Sequence, residues 1–408
     1  YNKANPARFP CLSKRFPRLF RSLELEKEYL MKNYRSYLEI NLPALAENIA
    51  VIRRQLNPKT QLMAVVKANA YGHGIAPCVS YCDSLIDAYG VATFQEAMCI
   101  RAAGSKKTIL IFGSIHPSQL TDVIHNQLTL NLYSKDYAAA LSQELQRLHQ
   151  SVLCHVEIDT GLNRTGIQYS AAHQENLSWI ASLYSKKSFH ITGIYTHFSC
   201  ADSDRKEDVE FTRKQFSDFQ SLLTLLHSQQ ITTGIAHCAS SAGLIYYPEY
   251  QMDMVRIGML MYGQFTSDAM RRRLGLKPVI TWKSAIVGIK HLNPGESVSY
   301  SRSYTALKPT DIAIIATGYA DGYKRSNSNR SYVLIHGFPA PVVGMICMDF
   351  LIADITDLPD KHNLSYATLL GEEQGNSIPV NALAFDTVNG DVTASISSRV
   401  SRIYLEYT

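Results

Sequence analysis

Apolar runs alternate with helix-period stretches along the first two thirds of the chain. In LPALAENIAVIRRQL, Leu42 to Leu56, apolar residues recur at helical spacing, and Pro43 falls in the first turn, where proline is tolerated. A short apolar run, Gln61 to Val66, follows and ends on Lys67. Further strand candidates are Ala88–Val91, Thr108–Phe112, Leu128–Leu132, Val152–Ile158, Ile191–Thr196, Thr233–His237 and Met252–Ile257. Helix-like stretches lie between them, such as Phe94–Arg101, Lys135–Leu148, Ala171–Leu183 and Glu207–Leu226. Eight βα repeats over about 220 residues predict an N-terminal (β/α)8 barrel, whose site sits at the C-terminal ends of its strands. A doubly wound open sheet is the alternative, but no GxGxxG follows the first strand. From Pro278 onward β-formers dominate, with turns at Asn293-Pro294-Gly295, His336-Gly337 and Asn389-Gly390-Asp391. That pattern predicts a mostly antiparallel C-terminal β domain. The expected division is a tail over 1–33, the barrel over 34–275 and the β domain over 276–408.

Composition narrows the classes. The 408 residues are 46% hydrophobic and 18% charged, which suits two domains with sizeable cores and excludes a disordered chain. No apolar run approaches the roughly 18 residues of a membrane span. The net charge of +5 sits in the tail: residues 1–33 hold eight of the 40 basic and three of the 35 acidic residues, leaving 32 of each. The body therefore gives no case for nucleic-acid or membrane partners. The tail has no start methionine and no long apolar core, so it does not read as a secretory signal. Its basic, serine-containing character leaves a transit peptide open, but a non-native or upstream extension is expected, with the natural protein beginning near Met31 and residing in the cytoplasm. The eight cysteines form no CxxC, and no partner pair answers Cys78 and Cys82 at zinc-site spacing. Reduced thiols and no metal site are expected.

The predicted strand ends carry chemistry. A lysine held against apolar surface is disfavoured as an ammonium, and its free amine can attack a carbonyl to form a Schiff base. The plain alternative for Lys67 is a surface lysine capping a strand. Near it stands Tyr71. Later strand ends give Glu157, Asp159 and Arg164 in HVEIDTGLNRTG, His197 in GIYTHFSCAD, and His237, Ser240 and Ser241 in AHCASSAG. The last gives Arg256 and Gly258 in MVRIGMLMYG. Singly each has an ordinary explanation; a common end of successive strands has none.

AVVKANAYGHG (64–74), with GVATFQEA, IDTGLNRTG, YTHF, VRIGMLMYG, VSYSRSY, GYADG and ICMD in order, resembles the bacterial alanine racemases. These are fold-type III enzymes that use pyridoxal 5'-phosphate, and the resemblance runs from about Arg35 to the C-terminus. It implies that Lys67 holds the cofactor as a Schiff base and moves a proton on one face of the substrate, with Tyr300 serving the other face. It places His197 beside that tyrosine and Arg256 on the pyridine nitrogen. Tyr71, Ser241 and the N–H groups of Gly258 and Met259 are expected on the phosphate, and Arg164 on the substrate carboxylate. Met348, Tyr319 and Tyr300 are expected to arrive from the partner in a head-to-tail homodimer with shared sites. The implied product is D-alanine for peptidoglycan.

Three positions depart from the family pattern. Glu157 stands where many relatives carry a carbamylated lysine, and it is expected to supply the negative charge for Arg164 itself, with a water filling the gap left by its shorter side chain. Ser398 replaces a phosphate-binding tyrosine, so weaker cofactor retention is expected. Ser240 stands where asparagine is common. The competing assignments are a broader racemase of serine or basic amino acids, a decarboxylase of similar domain plan, and a single-domain cofactor-binding protein that would lack the β domain.

Overall fold

The computed structural model describes residues 34–264 and 274–406; the predicted tail over 1–33 lies outside the described residues. Eight parallel strands form the barrel: Gln61–Val65, Ala88–Val91, Thr108–Ile111, Thr129–Leu132, Val152–Asp159, Phe189–Tyr195, Ile235–His237 and Met254–Ile257. The eighth pairs with the first, Met254 opposite Gln61. Between the seventh and eighth strands, backbone bonds from Asp253 N to Ala236 O (3.1 Å) and from Arg256 N to Ala239 O (3.0 Å) bring the sheet nearly to closure.

Local chemistry starts the helices as the sequence suggests. Asn41 Oδ1 accepts from Ala44 N at 2.9 Å and caps the Leu42–Arg53 helix. Thr93 and Glu96 form a capping box on Phe94–Ala102. Strand parity then sorts the side chains. In Val152–Asp159, Cys154, Val156 and Ile158 join the main core, and His155, Glu157 and Asp159 are the alternate positions. Met63, Ala88, Leu110, Tyr195 and Met254 form a separate buried cluster. The barrel is thus plugged by apolar side chains and becomes polar toward its C-terminal mouth.

The β domain is organised on a 13-residue strand, Ile280–Leu292. It pairs antiparallel with Tyr366–Glu373 and Thr310–Ile315, as the sequence predicts. One strand comes from the other end of the chain. Ser36–Asn41 pairs antiparallel with 280–284 and parallel with Ser401–Leu405. It lies within the 34–275 stretch assigned to the barrel from sequence, yet it completes the second sheet, because its Tyr37, Leu38 and Ile40 are buried there. Trp282, fully buried, donates its Nε1–H to Ser36 Oγ at 2.8 Å. Asn48 joins the two domains: its Nδ2 donates to Met261 O (3.1 Å) and Lys277 O (2.8 Å), and its Oδ1 accepts from Lys277 N (2.8 Å).

Candidate active site

Lys67 ends the first barrel strand, and the chain then turns left-handed. Ala68, Asn69 and Ala70 have φ of 52°, 53° and 55° with ψ of 50°, and Tyr71 has φ of 51°. The sequence predicts only a loop here. Left-handed helical backbone costs L-residues roughly 1–2 kcal/mol each, so four in a row need support. The Glu96 carboxylate supplies much of it. Oε1 accepts from Ala68 N (2.6 Å) and Asn69 N (3.4 Å), while Oε2 accepts from Ala92 N (2.9 Å) and Thr93 N (3.2 Å). Asn69 Oδ1 accepts from Ile75 N at 3.1 Å, and His73 Nδ1–H donates to Ala70 O at 2.9 Å.

Around that amine the field is cationic. Burial, then Arg164, lowers the Lys67 pKa; Glu96 opposes the shift and Arg256 adds to it. The free amine is therefore favoured. Arg256 is 4% exposed. Its NH1 donates to His237 Nδ1 (2.8 Å), and its NH2 to Thr196 O (2.9 Å), His197 Nδ1 (3.0 Å) and Cys238 O (3.1 Å). Its Nε–H donates to no described residue. Burial, with Arg256, Arg164 and Lys67 beside it, holds His197 well below the usual imidazole range, so its ring is neutral.

Two residues beyond Arg256, Gly258 meets Ser241 and Tyr71. Ser241 opens the helix Ser241–Tyr246, and Gly258 N donates to Ser241 Oγ at 3.3 Å. A Cβ on Gly258 would sit 2.7 Å from the Tyr71 hydroxyl, so the glycine makes room that another residue would fill. Burial pushes the Tyr71 phenol up to about 12, which keeps its proton available for donation. Met259 follows at the start of the short helix Met259–Tyr262.

Glu157 makes no direct hydrogen bond to Arg164 among the described residues. Its Oε2 accepts from Asn131 Nδ2 at 2.6 Å and its Oε1 from Thr165 Oγ1 at 2.9 Å. Tyr195 lies close by, and burial with Glu157 beside it raises the Tyr195 pKa. Among the described residues no ion pair joins Glu157 to Arg164. The short side chain, 3% exposed, reaches only its inward-facing neighbours and the residue next to Arg164. The loop carrying Arg164 is shaped by Asp159, whose Oδ1 accepts from Gly161 N (2.9 Å) and Asn163 N (3.1 Å). Asn131, Thr165 and Glu96 escape a motif reading of single strand ends, although Thr93-x-x-Glu96 is legible as a capping box.

The remaining predicted residues gather elsewhere. Tyr300, Tyr319 and Met348 are 61%, 42% and 52% exposed on the β domain. Tyr319 N donates to Cys347 O and Ala320 N to Met348 O, both at 3.0 Å, which sets Tyr319 against Met348. Ser299 Oγ, beside Tyr300, donates to Met345 O at 2.5 Å. The three form one exposed surface, and the four barrel residues Lys67, Arg164, His197 and Arg256 form another centre.

The domain described as "Alanine racemase, N-terminal domain" matches residues 40–265, and "Alanine racemase, C-terminal domain" matches 279–404. The alanine racemase of Desulforamulus reducens is 36% identical over 373 residues, covering 90% of this chain and 98% of its own. That of Methanococcus maripaludis is 35% identical over 379 residues, covering 92% and 100%. Among solved structures, alanine racemase of Clostridium difficile 630 superposes with a TM-score of 0.83 at 32% identity, covering 91% of this chain and 96% of that one. The Bacillus anthracis enzyme with bound L-Ala-P gives 0.83 at 28% identity, covering 91% and 95%. With both domains matched and the barrel and β domain in the same order, the chain belongs to the alanine racemase family of amino-acid isomerases.

Proposed function

We propose that the protein interconverts L- and D-alanine with pyridoxal 5'-phosphate as cofactor, Lys67 and Tyr300 being the two groups that move the α-proton. The observation that carries this is the meeting of Lys67, Arg164, His197 and Arg256 at one end of the barrel, beside the group formed by Tyr71, Ser241 and Gly258. These residues fit the cofactor. Tyr71 and Ser241 offer hydroxyl donors and Gly258 a bare backbone suited to a phosphate, with the Met259 N–H beside it, and Arg256 keeps an Nε–H for a ring acceptor. When bound, pyridoxal phosphate supplies a conjugated ring that delocalises the electron pair left as alanine loses its α-proton.

The protein's part follows from its side chains. Lys67, its pKa lowered by burial and by Arg164, takes or returns the proton at Nζ on one face. Tyr300 does so at its hydroxyl on the other. Arg164 pairs with the substrate carboxylate, and Tyr319 and Met348 bound the methyl group. Arg256 donates without releasing a proton, so a ring nitrogen set against it stays unprotonated. That moderates the sink and favours prompt reprotonation over side reactions. Tyr300, Tyr319 and Met348 stand exposed on the β domain, as expected of residues that complete a second copy's barrel in a head-to-tail homodimer. Supply of D-alanine for peptidoglycan in the cytoplasm is the role we assign. Among the described residues no helix is long and apolar enough to cross a membrane.

Mixing two inactive variants tests the arrangement. Lys67→Ala and Tyr300→Phe proteins, unfolded and refolded together, form hybrids with one intact site. About a quarter of wild-type racemisation is expected on random pairing. No recovery would place Lys67 and Tyr300 in the same chain's site or remove one from the chemistry. Borohydride should trap the cofactor on Lys67; label elsewhere overturns the assignment of that lysine.

A further inference from the structure

Behind Arg256 lies a chain of imidazoles that the proposed chemistry leaves unused. Arg256 NH1 lies 2.8 Å from His237 Nδ1. Arginine only donates, so this nitrogen is an acceptor and the His237 proton sits on Nε2. That Nε2 lies 3.0 Å from His155 Nδ1. Because Nε2–H donates, His155 Nδ1 also presents a lone pair, and its own proton sits on Nε2. On the other branch, Arg256 NH2 fixes His197 in the same form. Arg256 and the three neutral rings thus form one polarised chain of hydrogen bonds, each link requiring the tautomer of the next.

We propose that His155 is a positioning residue: its Nδ1 lone pair fixes the tautomer of His237 and, through it, the orientation of the Arg256 guanidinium at the barrel mouth. His237 is fully buried and His155 is 1% exposed. Without the His155 lone pair, the His237 Nε2–H would be a buried donor with no acceptor, which is costly. The available relief moves the proton to Nδ1. That turns one donor toward another, the Arg256 NH1, and drives the guanidinium aside.

The fold seats His155 for this task. His155 pairs in register with Gly193 on the neighbouring strand. A Cβ on Gly193 would meet ring atoms Cε1, Nε2 and Nδ1 of His155 at 2.6, 2.7 and 2.8 Å. The imidazole therefore lies flat on a backbone that must be bare. Tyr195 stacks on His237 at 4.8 Å and 9°, which sets the plane of the second ring. Arg256 in turn lies over the Tyr195 ring at 5.1 Å. Burial, reinforced by Arg256, pushes His155 down to about 4, in keeping with a ring that stays neutral.

The tautomers are readable without substrate or cofactor, so this inference and the proposed racemisation can fail separately. In full-length protein carrying 15N-histidine, long-range 1H–15N spectra at pH 7.5 should show His155, His197 and His237 as neutral Nε2–H forms. In His155→Phe, His237 should leave that form, and kcat should fall about 10- to 100-fold, as for a misplaced group near the chemistry. In His155→Asn, whose amide oxygen replaces the Nδ1 lone pair, both should be restored. Gly193→Ala displaces the ring without deleting it and should reproduce the Phe variant, which covers the case in which His155→Phe does not fold. A His237 proton on Nδ1 in the wild type overturns the inference. So does a His155→Phe or Gly193→Ala protein with an unchanged His237 signal.

Discussion

Replacing Glu96 by glutamine should both destabilise the protein and lower the Lys67 pKa further. The carboxylate accepts four backbone N–H groups, two from the left-handed turn and two from its own helix start. Glutamine keeps one oxygen and turns an NH2 group toward one of those pairs. Hydrogen bonds to a charged acceptor contribute about 1.5–3 kcal/mol each. Two are lost, one of them long at 3.4 Å if the turn is the side deprived. Glu96 is half-buried, so solvent replaces part of the loss, and the net cost should be about 2–4 kcal/mol. The left-handed turn, which by itself costs roughly 4–8 kcal/mol over four residues, is then poorly supported. Urea unfolding at fixed protein concentration reads the stability change. The pH dependence of Lys67 reductive methylation reads the second effect. The sign follows from charge: removing an anion that favours the ammonium lowers the pKa. A variant within about 0.5 kcal/mol of wild type, below the cost of a lost capping bond, would refute this account of the turn. So would a Lys67 pKa that rises.

Gly258→Ala should loosen pyridoxal phosphate retention about tenfold, because the new Cβ comes within 2.7 Å of the Tyr71 hydroxyl, while thermal stability moves little; undiminished retention on dialysis would place the phosphate elsewhere. Asn48→Leu leaves Lys277 N–H and the carbonyls of Lys277 and Met261 unpaired, at a cost of about 3 kcal/mol seen as a lowered unfolding midpoint. Acid should weaken the fold in a defined window. Burial holds His73 at about 4, below its unfolded value near 6.5, so its contribution is complete above pH 6.5 and is lost as pH falls to 4. His155 acts in the same window. Each should remove about 1.4 kcal/mol per pH unit there, and equal urea midpoints at pH 7 and 5 would contradict this.

The barrel was legible because its strands and helices differ in apolar period, and because Lys67, Arg164 and His197 follow apolar strand runs and Arg256 sits within one. What was not legible depends on contacts distant in sequence. Ala68 and Ala70 carry no preference for left-handed backbone, so the turn after Lys67 had no local signal; it exists because Glu96 binds it from the next βα unit. Parity along HVEID puts His155 and Glu157 on one face, but nothing in the sequence pairs His155 with His237, 82 positions away. The direct partners of Glu157 were not legible either. A carboxylate on a short stem inside the barrel finds Asn131 and Thr165 before it finds Arg164. Ser36–Asn41 has strand-like alternation, yet both its partners lie in the last third of the chain.

That strand has a consequence for synthesis. Translation must proceed roughly 240 residues beyond Asn41 before its first neighbour, Ile280–Leu292, exists, and about 360 before Ser401–Leu405 does. At ribosomal rates of ~5–20 residues per second the first wait alone lasts about 12–50 s. Throughout it Tyr37, Leu38 and Ile40 have no sheet to enter, and the barrel that receives the helix starting at Leu42 is complete only once Met254–Ile257 is made, shortly before Ile280–Leu292. On the emerging chain the barrel therefore carries an unpaired β-strand at its leading end, a natural target for chaperones and for wrong pairing, until the last strand closes over it.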